Sequence, residues 1–351
     1  MSQQQLPPDS DDPAWPPRQS HPYSQLSGQV PQPYKPRSML SKLLPIILLI
    51  ALLFAIGIIG RNLDRMMTST FLVLTPFIFG ALINYMVSYN QSMPFKRSIK
   101  WLLIFYAVLI AFSVLVLKEG SICVIIASPI LMGCMITGAL LMHLLCRYLW
   151  KPSKAIYSLA ALPLLLIFIP EQLSTTHKSV EKSILIDAPI STVWQQINHI
   201  DSIKPSEIKP SLLYAIGVPY PISGITNITN GQKIRHSHWQ KDIHFDGMIQ
   251  QSIPNQYLRW NYRFDPDSIP KGALDDHVQI GGKYFDFQNT SYRLVPVNAQ
   301  QTQLILKIDY RISTEINFYT VQVASILLND FARVILDLYK QRSEALNPAS
   351  A

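Results

Sequence analysis

From Leu43 to Gly60 the chain runs for eighteen residues without a charged side chain. A run of that length constrains folding more than any short motif, because about twenty apolar residues in a helix match the ~30 Å hydrocarbon core of a bilayer. Helices buried in a soluble core keep a polar face, and this segment has none. Four more apolar runs follow, so the sequence predicts five membrane-spanning helices at about 43–60, 71–88, 101–117, 121–146 and 155–170. A cleaved leader does not fit, since forty-two residues precede the first run and further runs succeed it. Pro76, Pro129 and Pro163 fall inside later runs, where neighbouring helices can satisfy the backbone groups that proline frees.

The formal charge of +8 invites a polyanion partner, and its distribution removes the invitation. Residues 1–170 carry thirteen Lys or Arg against five Asp or Glu, whereas residues 171–351 carry seventeen of each. The whole excess sits around the apolar runs, where basic residues bias orientation, so no nucleic-acid role is expected. With five spans and a cytoplasmic N-terminus, the inner segments hold Lys35, Arg37, Lys42, Lys96, Arg97, Lys100, Arg147, Lys151 and Lys154, and the outer loops hold Arg61, Arg65 and Lys118. That asymmetry predicts an inner (plasma) membrane protein whose C-terminal half is extracytoplasmic. A fifth run that dipped in and returned would reverse the placement of that half. The three cysteines, Cys123, Cys134 and Cys146, all fall in the fourth run, so residues 171–351 hold no internal disulfide in either compartment. Residues 1–38 are rich in proline, glutamine and serine and poor in aliphatics, a composition that cannot offset the entropy of ordering; a disordered tail is expected.

Beyond Lys178 the texture becomes alternating. "SVEKSILIDAP" puts Val180, Ile184 and Ile186 on one strand face, and Pro189 then opens a helix with Ile190, Val193, Trp194 and Ile197 as its apolar stripe. In "QYLRWNYRF" the residues Leu258, Trp260, Tyr262 and Phe264 share a face. "QLILKIDYRI" does the same with Leu304, Leu306, Ile308, Tyr310 and Ile312. A last helix, from about Tyr319 to Ser343, repeats Val323, Ile326, Leu327, Phe331, Val334, Ile335 and Leu338 at helical spacing. One-sided antiparallel strands facing a long amphipathic helix make an α+β domain, at about 178–345, after the helical membrane domain of 39–170.

A strand, an Asp187-Ala188-Pro189 step into a helix holding Val193-Trp194, further strands including "SIPNQYLRW" and a long closing helix together resemble the SRPBCC, or START-like, superfamily, with its polyketide-cyclase-like and Bet v 1-like branches. The resemblance covers residues 178–345 and implies a helix-grip fold: a curved antiparallel sheet around the last helix, with a cavity for a lipid or other hydrophobic molecule. It carries over no catalytic motif and no cofactor. The lining it implies is Trp260, Tyr262, Phe264, Ile308 and Tyr310 from the strands, Tyr284, Phe285 and Phe287 as an apolar lip, and Leu327, Phe331 and Val334 from the helix. The residue pattern alone fits a filled core equally well.

Two polar clusters compete with that reading. In "ALDDHVQIGGKYFDF" the pair Gly281-Gly282 signals a two-residue hairpin, which would set His277 beside Asp286 as a candidate acid–base pair on a cyclase-type enzyme; a surface pair is the plainer alternative. In "IRHSHWQKDIHF" the residues His236, His238 and His244 have spacing open to a histidine metal site, as in a hydrolase. A third possibility is a structural or sensory module of the envelope with its interior filled. The partners expected are the bilayer and a lipid-like small molecule.

Overall fold

The computed structural model describes residues 39–63, 67–89, 95–116, 120–148, 168, 170–229, 231–275 and 280–347. The expected tail at 1–38, nearly all of the fifth run and His277 lie outside them. Contacts divide the chain into a first unit, Met1–Leu48, whose described part is the opening of helix α1 (Met39–Asn62), and a second, Leu49–Ala351, holding every other element.

Helices α2 (Thr75–Tyr89), α3 (Phe95–Leu115) and α4 (Ser121–Tyr148) follow. Three stretches are long and apolar enough to cross a membrane, Thr70–Val87, Ser98–Leu115 and Ser121–Tyr148, and Ile47–Asn62 is a shorter apolar helix. The expectation of five spans is thus met by three among the described residues. Pro76 has no N–H for the helical ladder, and a single π turn, Thr70–Leu74, leads into it, with the Thr75 N–H and hydroxyl both donating to the Thr70 carbonyl. Small residues let α2 and α4 approach backbone to backbone: a Cβ on Gly80 would lie 2.0 Å from the Met135 carbonyl oxygen, and one on Gly138 2.0 Å from that of Phe77.

The C-terminal half is one eight-stranded antiparallel sheet with helices against it. Its strands are β1 (Ser174–Ile186), β2 (His199–Ile200), β3 (Pro221–Thr229), β4 (Gln232–Trp239), β5 (His244–Ile253), β6 (Tyr257–Arg263), β7 (Phe285–Asn298) and β8 (Gln301–Thr314), in the order β1-β8-β7-β6-β5-β4-β3-β2. Irregularities at Ile249/Gln251 in β5 and Phe287/Asn289 in β7 interrupt the register, and bulges of this kind bend strands and increase their twist. Helix α5 (Ile190–Asn198) follows Pro189 and buries Val193 and Ile197; a one-turn helix, α6 (Leu212–Ala215), lies further on. The long helix α7 (Asn317–Ala345) packs on β1 and β8. In β8 every second residue from Thr302 to Ile312 is buried, and opposite it Val180 pairs with Ile308 and Ile184 with Leu304.

The hairpin expected at Gly281-Gly282 does not form. Residues 280–284 are turn and bends, β7 begins at Phe285, and Asp286 stands opposite Arg311 of β8. The two-residue turn read from this pair needs positive φ at both centres; Gly281 supplies it (φ 75°) and Gly282 does not. Arg311 also draws the segment to β8 by donating to the carbonyls of Gly282 (2.8 Å) and Lys283 (3.2 Å).

Candidate functional site

Between the sheet and α7 the buried residues form two zones. Leu304, Leu306, Ile308, Tyr310 and Ile312 of β8 pack with Leu258, Trp260, Tyr292 and the later α7 residues Leu328, Ala332, Leu336 and Tyr339 into a filled core. Toward β4 and β5 the composition turns aromatic. Inward alternation on β5 and β6 brings Phe245 within 5.6 Å of Tyr262 and 5.4 Å of Phe264, ring centroid to centroid. Tyr262 stacks on Phe287 at 5.3 Å, Phe287 meets Phe285 edge-on at 5.1 Å, and Phe285 lies 6.3 Å from Tyr310. Trp239, at the end of β4, closes the run by packing on Phe245 (5.9 Å) and across to Phe331 of α7 (5.7 Å).

These rings are not sealed. Trp239, Tyr262, Phe264, Phe285, Phe287, Leu327 and Phe331 all keep intermediate exposure, although they point between sheet and helix. Tyr262 is the informative one. Burial pushes its hydroxyl up to about 12, so it lies deep in the domain, and a deep side chain that retains accessible surface borders space. Its hydroxyl shares a 2.5 Å hydrogen bond with Thr290. At that pKa it stays neutral at physiological pH and serves as a hydrogen-bonding group, far from the range that suits a general base.

Beneath this space lies Arg235, 5% exposed, inward on β4. Its Nη1 donates to the Ile197 carbonyl, its Nη2 donates to the Tyr339 hydroxyl at 3.2 Å, and its guanidinium sits 5.3 Å from the Trp260 ring centre. Ile197 belongs to the last turn of α5, where the partial negative charge of the helix end offsets a cation. Gly224 leaves room: a Cβ there would lie 2.2 Å from Arg235 Nη2.

The sequence-derived candidates separate cleanly. Tyr262, Phe264, Phe285, Phe287, Leu327 and Phe331 border the aromatic zone, whereas Trp260, Ile308 and Tyr310 belong to the filled core and Val334 is fully buried. Tyr284 is buried just ahead of β7, with Lys283 Nζ 5.0 Å from its ring centre. Asp286, between the inward Phe285 and Phe287, faces the other side of the sheet; burial raises its pKa against the lowering effect of Arg311 and of the Gly281 N–H. Among the histidines, His236 Nδ1 lies 2.7 Å from Asp246 Oδ1, Arg263 joins that carboxylate at 2.8 Å, and the His238 and His244 rings are 6.3 Å apart. All three imidazoles alternate with inward residues and stand on the outer face. No three His, Cys, Asp or Glu side chains among the described residues are placed to hold a metal ion. A separate open groove of about 570 Å³ runs over the opposite end of the sheet past Ile190, Tyr257, Arg293 and Pro296, away from the aromatic run.

Trp239 and Phe245 were not among the sequence-derived lining. The signal was present in "HWQKDIHF", where they alternate with the histidines, but the imidazoles drew the reading.

No family profile matches the chain, and no curated protein matches it. Solved structures similar to it include the Zhui aromatase/cyclase from Streptomyces sp. R1128 (14% identity, TM-score 0.31, covering 50% of this chain and 99% of its own). A START superfamily protein from Mycobacterium smegmatis is similar at 16% identity, TM-score 0.29, over 49% of this chain and 100% of its own. A truncated norcoclaurine synthase from Thalictrum flavum is similar at 11% identity, TM-score 0.28, over 49% and 97%. Identities this low mark a likeness of fold at most, and the helix-grip arrangement here follows from the strand order and from α7 in their own right.

Proposed function

We propose that this chain is a membrane-anchored binding protein that holds a lipid or similar apolar molecule between its curved sheet and α7, on the extracytoplasmic side. The observation that carries the reading is the run of aromatic rings from Trp239 to Phe285, which faces inward and yet keeps accessible surface. Aromatic and aliphatic walls with a few fixed polar groups are what small-molecule sites are made of, and the Tyr262–Thr290 pair supplies a polar mark for one end of an amphipathic guest.

Sidedness draws on the helix ends. Glu315 accepts hydrogen bonds from the Ser69 N–H (2.7 Å) and hydroxyl (2.6 Å) just ahead of α2, and from the Gln172 N–H (2.7 Å) just ahead of β1. The sheet domain therefore starts at the same end of the helices as α2, while Lys96 and Lys100 open α3 and Arg147 ends α4, the opposite ends. A cytoplasmic surplus of basic residues then favours an extracytoplasmic sheet domain.

The test is to purify the full chain in mild detergent, extract it with organic solvent and record native mass spectra. A stoichiometric lipid-like molecule that is lost in Phe264→Trp, which fills the space, is the expected result. Absence of any co-purifying molecule, together with no uptake of a fluorescent acyl-chain probe, would sink the proposal.

A further inference from the structure

Helix α4 is longer than a bilayer needs. Its 28 residues rise about 42 Å against a hydrocarbon core of about 30 Å. The surplus can be placed, because its first two turns are occupied by protein. Ile122 and Ile126 share a cluster with Ile216, Phe245, Leu274 and Leu327 of the sheet domain. Asp275 Oδ2 accepts the Cys123 N–H at 2.7 Å, and the Ser121 hydroxyl reaches the Ile216 carbonyl at 3.5 Å.

With the surplus on that side, the hydrocarbon boundary falls near Ile130, about 12 Å along the axis from Ile122 at 1.5 Å per residue. Ile130 is buried together with Leu72, near the start of the α2 span, and with Ile316. Tyr319 packs on the same cluster and donates its hydroxyl to the Ile126 carbonyl at 2.5 Å. Helix α7 thus begins at the boundary and runs back along α4, reaching Leu327 beside Ile122. Phe318 adjoins Tyr319 and is 73% exposed, and Ile326 further along is 59% exposed. A large aromatic bared to water at this level makes sense only if lipid covers it, since amphipathic helix faces with Phe and Leu settle at the headgroup and acyl boundary.

We infer that the start of α7 is a bilayer-contact surface, with Phe318 in lipid at the hydrocarbon boundary, and that the first two turns of α4 form the membrane-side wall of the aromatic space. The inference rests on the proposed function and deepens it: the guest is a lipid of the adjoining leaflet that enters sideways past Ile122 and Ile126, without crossing water.

The experiment uses the full chain reconstituted in vesicles of phosphatidylethanolamine and phosphatidylglycerol. A photo-reactive p-benzoylphenylalanine replaces, one at a time, Phe318, Ile122, Leu140 on the exposed side of the α4 span, or Ile228 at the β3–β4 tip, which is 72% exposed. Phospholipid adducts are expected at Phe318 and Leu140 in comparable yield, at Ile122 in lower yield, and not at Ile228. A Phe318 yield no higher than that of Ile228 overturns the contact surface. Adducts at Ile122 to protein alone overturn sideways entry and leave the Phe318 result standing. Loss at Leu140 strikes the membrane reading itself, and an empty solvent extract strikes ligand binding, so the failures are told apart.

Discussion

The two ends of α7 face the same sheet and bury different chemistry. Its later half, through Leu328, Ala332, Leu336 and Tyr339, meets aliphatic residues of β8 and closes completely. Its earlier half, through Leu327 and Phe331, meets Trp239, Tyr262 and Phe264 and leaves each of them partly accessible. Branched aliphatics interdigitate at crystal-like density, whereas large flat rings meet edge-on or offset and leave gaps at their corners. One helix therefore serves as both the keel of the domain and the wall of a site, and the difference is written in side-chain shape.

The contrast breaks most sharply on truncation. Leu304→Ala, at a side chain with no exposure, is expected to cost about 2–5 kcal/mol, read from denaturant or thermal unfolding in detergent. Phe331→Ala, in the aromatic zone, is expected to cost less than about 2 kcal/mol, because only part of its surface is withdrawn from water; equal losses would mean that the two zones are packed alike. At the seam, Gly247→Ala would set a methyl 2.8 Å from the Trp260 ring, and overpacking of this kind is expected to cost about 1–3 kcal/mol. Tyr262→Phe removes the hydroxyl bonded to Thr290 and should lower stability by only about 0.5–1.5 kcal/mol, while changing which molecules co-purify; an unchanged lipid profile would assign that hydroxyl to packing alone.

The smallest effect concerns pH and the filled end. Hydrogen bonds from Arg342 at 2.8 and 2.9 Å hold Glu207 below the usual carboxylate range. Its contribution is thus complete above the ordinary carboxylate value and is lost as pH falls through the lower folded-state value. Glu207→Gln should flatten part of the acid limb of a Tm-against-pH curve and leave the neutral plateau nearly unchanged.

Much of the fold was legible because burial on one side imposes a period. The alternation in β8 and the helical stripe of α7 read directly, as did the charge-free run after Leu43. The site was legible in part. Ile308 and Tyr310 alternate inward just as Tyr262 and Phe264 do, and period alone does not say whether an inward side chain meets a neighbour or a gap; that depends on which residues of α7 lie opposite. The Gly281-Gly282 turn misled for a different reason, since a glycine permits positive φ without requiring it, and Arg311 held the segment elsewhere.

Glu315 gathers three donors from two segments remote in sequence, Ser69 and Gln172. Cutting the chain ahead of β1 to obtain a convenient soluble fragment would strip that carboxylate of its ligands and uncover Ile316 and the flank of Tyr319 at one stroke. Such a fragment would begin life with a sticky seam, and its clumping in buffer would report a severed joint and not a faulty fold.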